Sequence, residues 1–168
     1  MVTVEFVWQS KGTGQGIIMS PGFGQGPNLE MGNGYICVYG SDKYHASYPA
    51  KSGETHITHV VYSGTTPNVE GSGVAALYVD GQLVETPGTS GGAFNCQKDG
   101  AALSGRSNNP QYGANGYMYA LRVYDRELTP EEIRWNYAVD RARFFGDHSL
   151  YNELKLGIRV TAIPEQGF

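Results

Sequence analysis

Two groups of residues in this 168-residue chain have the types that sugar recognition needs. Tyr44, His45 and Tyr48 fall in one polar segment, and Arg106, Asn108, Asn109, Gln111 and Tyr112 in another. Aromatic rings stack on the apolar faces of pyranoses, while amides and charged groups pair the hydroxyls. For any single residue here the competing reading is ordinary loop chemistry, a tyrosine packed on backbone or an asparagine making a turn. Catalytic chemistry is harder to find. His56 and His59 are three apart on an apolar, β-branched run, so on a strand they point to opposite faces, one inward and one outward, and cannot chelate one ion. Serine, histidine and aspartate are all present, but the Gly-x-Ser-x-Gly match Gly88–Gly92 lies in a Gly-rich polar run with no helical pattern after it, so it does not read as a nucleophile elbow.

The elements that must hold these residues are short and extended. The chain has 24 Gly and 12 Tyr and almost no helix-favouring charged blocks, which reads as strands joined by tight turns. A domain of this length buries roughly two thirds of its unfolded surface, enough for a core without staples. Cys37 and Cys96 therefore read as two buried thiols rather than as a required disulfide. With 12 Lys and Arg scattered along a chain of net charge -4, phosphate-backbone binding is excluded as the main activity, so nucleic acid is not an expected partner. No apolar run approaches the roughly 18–20 residues that span a bilayer, and the N-terminal segment lacks the basic-then-apolar pattern of an export signal.

Val2, Val4, Phe6 and Trp8 alternate with Thr3, Glu5 and Gln9, the period of a half-buried strand, with Val7 the one apolar residue on the other face. A short strand is expected at Ile17–Met19, further strands at Glu30–Tyr39 and His56–Ser63, and a rim loop across residues 41–53 between the last two. Val74–Val79 and Gln82–Thr86 flank Asp80-Gly81, a dipeptide that tolerates the positive φ angles of a type I′ hairpin turn. Another short strand falls near Ala101–Leu103, and residues 104–116 form the longest exposed loop. Leu154, Leu156, Ile158, Val160 and Ala162 alternate with polar residues and read as a C-terminal strand. Trp8 and Trp135 read as core or helix-packing residues.

One helix is plainly specified. Leu128 takes the position before the cap, Thr129 the cap, Pro130 the first helical position, Glu132 the last position of a Thr-x-x-Glu box, and Ile133 the partner of Leu128 in a hydrophobic staple. The helix runs from Pro130 to about Phe144 and stops at Gly146. Glu127, Glu131 and Glu132 surround its start, where negative charge is favourable and capping accounts for Glu132.

The strand entering that helix carries Gly116, Leu121, Arg122, Val123, Tyr124, Asp125, Arg126, Leu128, Thr129, Glu131, Glu132 and Ile133 in a spacing that resembles the closing strand of concanavalin A-like, laminin G-like jelly-roll domains. Two further features agree in order, the histidine-bearing strand His56–Gly64 and the hairpin Ala76–Glu85. The resemblance covers roughly the first four fifths of the chain. It implies an all-β fold of two antiparallel sheets, with one short C-terminal helix. Residues 1–146 would form the sandwich including the helix, and residues 147–168 a strand and tail that complete it or pair with a partner subunit. It also implies an extracellular, cell-surface or virion location, and a packing or hydrogen-bonding role for His59.

Glycan-cleaving members of such a fold place acids two or three apart on one strand as nucleophile and acid, and no such spacing occurs here. Relatives that bind calcium do so through oxygens converging from rim loops. Asp42, Asp99 and Asn108, with Asn109, are the available oxygens, so calcium is a possible cofactor. The expected function is a non-catalytic recognition module with a glycan, or otherwise a surface protein, as partner. The alternative is a structural, assembly or adhesion protein, for example a virion decoration or fibre component. It rests on open edges at the first strand and at the C-terminal strand that invite strand addition and homo-oligomers.

Overall fold

A computed structural model describes residues 2–11, 16–20, 28–32, 34–40, 43–63, 74–84, 102–103 and 113–161. The chain divides into two compact units, Met1–Glu127 and Leu128–Phe168. In the first unit the strands are β1 (Val2–Ser10), β2 (Gly16–Ser20), β3 (Asn28–Gly32), β4 (Tyr35–Gly40), β5 (Lys43–Pro49), β6 (Thr55–Ser63), β7 (Val74–Val79), β8 (Gln82–Leu83), β9 (Ala102–Leu103) and β10 (Gly116–Tyr124). They form two five-stranded sheets, in the orders β10-β1-β6-β7-β8 and β5-β4-β3-β2-β9. Every described pairing is antiparallel. The fold is the β-sandwich that the alternating segments imply.

The core lies between the sheets. Val4, Phe6 and Trp8 of β1, Val60 of β6, and Leu77 and Val79 of β7 meet Ile36 of β4 and Ala46 of β5 across the gap. Their period-two spacing places them on one face, and burial of that face drives the two layers together.

The other face of β1 departs from expectation. Val2–Ser10 does not read as half-buried, because Thr3, Glu5 and Val7 are sealed from solvent as completely as Val4 and Phe6. Nor is β1 an open edge, since it pairs with β10 on one side and β6 on the other. A strand at the centre of its sheet leaves no backbone groups for another chain to pair with. Glu5 stands opposite Arg122 and His59 in register, and its carboxylate accepts from the Arg122 guanidinium and from the Tyr124 hydroxyl at 2.8 Å. His59 Nε2 lies 3.6 Å from the same carboxylate. Thr3 Oγ1 donates to the Arg126 carbonyl at 2.9 Å. The Arg-x-Tyr spacing of the closing strand thus has a physical cause, because residues two apart on β10 reach one acid buried in its neighbour.

Gly116 is required by packing rather than by φ. A Cβ there would run into the Gln9 carbonyl and come within 2.6 Å of the Trp8 ring. The Asp80-Gly81 turn has φ of 52° and 78°, the paired positive values of a type I′ hairpin, although β8 ends at Leu83 rather than at Thr86. The expected strand Glu30–Tyr39 is two strands, β3 and β4. The residues between paired Gly32 and Tyr35 are Asn33-Gly34, a hairpin dipeptide, and Gly34 has φ 85°. The expected rim loop 41–53 contains β5, which pairs with β4 over Lys43–Pro49 and leaves only a short turn before β6. Cys96 lies outside the described residues, and so does the side chain of Cys37.

In the second unit α1 spans Pro130–Phe145 and starts as its sequence dictates. Thr129 Oγ1 accepts from the Glu132 backbone N–H at 3.2 Å, the Glu132 carboxylate accepts from the Thr129 N–H at 2.9 Å, and Leu128 and Ile133 are buried. Gly146 closes it in the left-handed conformation.

The expected C-terminal strand is instead a second helix, α2, over Ser149–Thr161. Asp147 supplies its start, accepting from the Ser149 N–H at 3.0 Å and the Ser149 hydroxyl at 2.6 Å while Arg141 Nε donates to it at 2.7 Å. These bonds hold the Asp147 carboxyl well below its ordinary range, the Ser149 hydroxyl contributing most. Leu150, Tyr151 and Leu154, at helical spacing, are half-buried, and Tyr151 meets the Trp135 ring of α1 at 5.6 Å. Helical spacing of the large residues, together with a capped start, outweighs the alternation. The strand addition proposed for residues 147–168 loses its basis. No helix among the described residues is long and apolar enough to cross a membrane.

Arg122→Ala should lower unfolding stability by about 3 kcal/mol in urea denaturation, because it leaves a buried carboxylate without its cation. Glu5→Gln should cost less, because the guanidinium it abandons is 32 % exposed and can turn to water. Equal costs for the two would contradict this account.

Candidate functional site

Most of the residues selected from sequence cannot be placed. Asp42, Asp99, Arg106, Asn108, Asn109, Gln111 and Tyr112 lie outside the described residues. Tyr44 and His45 lie in β5, where Tyr44 pairs with Tyr39 of β4 and a register shift leaves His45 over, and their side chains are outside the described set. Tyr48 is described. It is half-buried, packs against the core, and meets the His56 ring edge-on at 5.7 Å between centroids. Among the described residues no group of three or more His, Cys, Asp and Glu could hold a metal ion.

The described polar-aromatic surface lies at the end of the sandwich where β1 finishes and β10 begins. Tyr117 and Tyr119 are 46 % and 49 % exposed, whereas Met118 between them packs against the core. Register explains the arrangement. Val7 faces Ala120 but Trp8 faces Met118, so Tyr119 is an extra residue in β10, and such a bulge re-aims the side chain it carries. The two rings are tilted by 41° with centroids 6.4 Å apart. The Lys11 ammonium sits 4.5 Å above the Tyr117 ring, and the Lys11 N–H donates to the Asn115 carbonyl at 2.9 Å.

Gln9 fixes the pair from below. Its Oε1 accepts from the Tyr119 hydroxyl at 3.2 Å and its Nε2 donates to the Gly53 carbonyl at 2.9 Å. Gly53, at φ 91°, also donates its N–H to the Ser10 carbonyl at 2.8 Å, so the turn between β5 and β6 is tied twice to the end of β1. The turn closes on itself through the Glu54 carboxylate, which accepts from the Lys51 N–H at 2.7 Å. That bond is the main reason the Glu54 carboxyl sits below its ordinary value.

Beneath this turn lies His56. Its Nδ1 is 2.8 Å from Asp80 Oδ2, and its Nε2 makes a looser ionic contact with Glu54 at 3.5 Å. Asp80 Oδ1 also accepts from the Ile57 N–H at 3.1 Å. The Asp80 hydrogen bond raises the His56 pKa above 6.5, against the opposing effect of burial. The two histidines do lie on opposite faces of β6, but neither points out to solvent, since both are buried. His56 stands across from core-facing Trp8, and His59 across from Glu5 on the reverse face.

Tyr117, Tyr119, Gln9 and Lys11 are not among the residues expected from sequence, where Gly116–Glu132 reads as a mark of the fold and Val2–Gln9 as a strand. The available signal was Tyr-Met-Tyr at period two, with an apolar residue inward and two rings outward.

Comparison with known proteins follows the architecture. The family model of the concanavalin A-like lectin/glucanases superfamily, of laminin G type, matches residues 2–134. Among solved structures, a putative carbohydrate binding protein from Bacteroides ovatus is similar at 18% identity and TM-score 0.58, over 79% of this chain and 39% of that one. The chain thus spans well under half of that protein. A heptameric SAP-like pentraxin from Limulus polyphemus is similar at 20% identity and TM-score 0.57, over 79% of this chain and 67% of that one. The sialidase module CBM40 from Ruminococcus gnavus, bound to α2,3-sialyllactose, is similar at 16% identity and TM-score 0.56, over 82% and 81%. No curated protein sequence matches the chain.

A histidine whose folded pKa is raised stabilises the fold fully below its unfolded value of about 6.5, and that contribution is lost as pH climbs through the folded value. The melting temperature should therefore fall as pH rises above about 6.5. Asp80→Asn should flatten that fall while keeping the turn, because asparagine also tolerates positive φ. An unchanged pH profile in Asp80→Asn, measured by calorimetry, would contradict the assignment.

Proposed function

The chain belongs to the concanavalin A-like lectin/glucanases superfamily, and we propose that within it this domain is a non-catalytic module that binds carbohydrate. One observation carries the reading: two neighbouring tyrosine rings stand half exposed on a folded strand, with the Gln9 amide between them and the turn and the Lys11 ammonium over one ring. Exposed aromatic faces held still by hydrogen bonds can stack on sugar rings at low entropic cost, and the adjoining amide, phenol and ammonium groups can pair hydroxyls.

Two of the similar structures carry carbohydrate binding in their own descriptions, which supports the reading. The segment with Arg106, Asn108, Asn109, Gln111 and Tyr112 directly precedes Gly113 in sequence, four residues before Tyr117. An extracellular or surface location accords with such a partner.

Screening on an immobilised oligosaccharide array tests the reading directly. Tyr117→Ala and Tyr119→Ala should each weaken binding by about tenfold, the loss of ~1.4 kcal/mol that one good stacking contact supplies. Both should stay within about 0.5 kcal/mol of the parent in stability, as exposed positions do. Retention should survive chelation by EDTA if the tyrosine surface is the site, whereas loss on chelation would move the site to Asp42, Asp99 and Asn108. If no oligosaccharide is retained, or both variants bind like the parent, the reading fails.

A further inference from the structure

The hydrogen-bond chain that holds Tyr119 does not stop at the surface. It passes from the Tyr119 hydroxyl to Gln9 at 3.2 Å, from Gln9 to the Gly53 carbonyl at 2.9 Å, and along one peptide unit to Glu54, whose Oε2 lies 3.5 Å from His56 Nε2. The far side of that ring is anchored on Asp80 at 2.8 Å. A nearly buried imidazole is thus clamped between two carboxylates, one of them on the turn that positions the exposed tyrosine.

We propose that His56 is a proton-sensing positioning residue for the Tyr117–Tyr119 surface: charged, it holds the Lys51–Glu54 turn and through it Gln9 and Tyr119, and neutral, it lets that turn loosen. This rests on the tyrosine surface being the binding face.

The chemistry follows from donor counting. An imidazolium has two N–H donors, one for each carboxylate, while a neutral imidazole has one donor and one lone pair. The shorter contact, to Asp80, keeps the remaining proton. Nε2 then presents a lone pair to the Glu54 carboxylate, so a favourable ionic contact becomes repulsion between acceptors. The groups facing the ring are Asp80 from the β7–β8 turn, Glu54 from the turn before β6, Tyr48 edge-on from β5, and Trp8 across the sheet on β1. Among the described residues only the two carboxylates bring charge, and only Glu54 belongs to the segment that touches Gln9. The Asp80 hydrogen bond raises the ring's pKa, so the transition lies above the ordinary imidazole value.

A metal held by His56, Glu54 and Asp80 is a poorer reading. No group of three such side chains converges among the described residues, and the ring nitrogen that would ligate already faces Asp80.

The test is an NMR titration of the full chain, following the His56 ring, the Gly53 amide and the Tyr119 ring from about pH 5.5 to pH 9. All three should report one midpoint. Glu54→Gln should leave His56 titrating but remove the response at Gly53 and Tyr119, because a side-chain amide can face either state of the ring as donor or acceptor. Asp80→Asn, which takes away the charge holding the proton, should move all three midpoints to lower pH together. Retention of array-immobilised oligosaccharides by the parent should drop about fivefold between pH 6 and pH 8.5, the low end of coupling between linked sites, and Glu54→Gln should flatten that drop. Tyr119 and Gly53 signals that stay constant while His56 titrates would overturn the proposal, as would a Glu54→Gln variant that keeps the response. Should no oligosaccharide be retained at any pH, the carbohydrate reading fails by itself, and the titration of the free protein still decides whether His56 controls this surface.

Discussion

The first unit depends on one buried acid. Glu5 has no exposed surface, yet it sits in mid-strand among apolar neighbours, where an unpaired carboxylate costs several kcal/mol. Its partners are Arg122 and Tyr124, separated from it by 117 and 119 residues. The charge is tolerated only when the chain's closing strand has arrived beside its opening one, in the register that puts residues two apart over the same carboxylate. Apolar burial alone leaves the pairing of β1 with β10 free to slip by two residues at modest cost. The Glu5 pair does not, because any slip strands the carboxylate. Gly116 and the bulge at Tyr119 then follow from that register, the first by letting β10 pass close to Trp8 and Gln9, the second by taking up the residue that the register leaves over.

The sandwich was legible in the sequence wherever a local rule decides the structure. The Thr129–Glu132 box, the Gly146 stop and the Asp80-Gly81 turn are each written within a few residues, and each is found as written. The failures share a cause. Asn33-Gly34 is as strong a hairpin signal as Asp80-Gly81, but it sits inside a run whose alternation continues on both sides, so pattern hid the turn. In Leu154–Ala162 the same preference for alternation hid a helix. There Leu150 and Leu154 repeat at four, and the start is set by Asp147, a residue outside the pattern. The burial of Thr3 and Glu5 was beyond local reading, because the Arg122, Tyr124 and Arg126 groups that bond them are more than a hundred residues away.

The candidate site was legible only in its chemical types. The tyrosines and amides expected from sequence fall in segments read as loops, whereas the described pair stands on a strand. Two tyrosines at period two around Met118 state that arrangement in sequence, while the bulge that turns Tyr119 outward depends on pairing and leaves no local mark. Gln9 and Gly53 are ordinary in sequence and gain their role from being brought together. Such a surface on a strand is held more rigidly than one on a loop, since the backbone of β10 is already fixed by its ladder to β1.

Glu5, Arg122, Tyr124 and His59 together have the composition of a catalytic centre, and access decides against that role. Glu5 and His59 expose nothing, so no glycosidic oxygen can reach the acid and no water can approach the imidazole without the sheet opening. In the described network below Tyr119, the exposed Glu54 carboxyl is held below its ordinary pKa by the Lys51 N–H. A carboxyl that gives up its proton so readily is a poor general acid near neutrality, while it remains an effective hydrogen-bond acceptor.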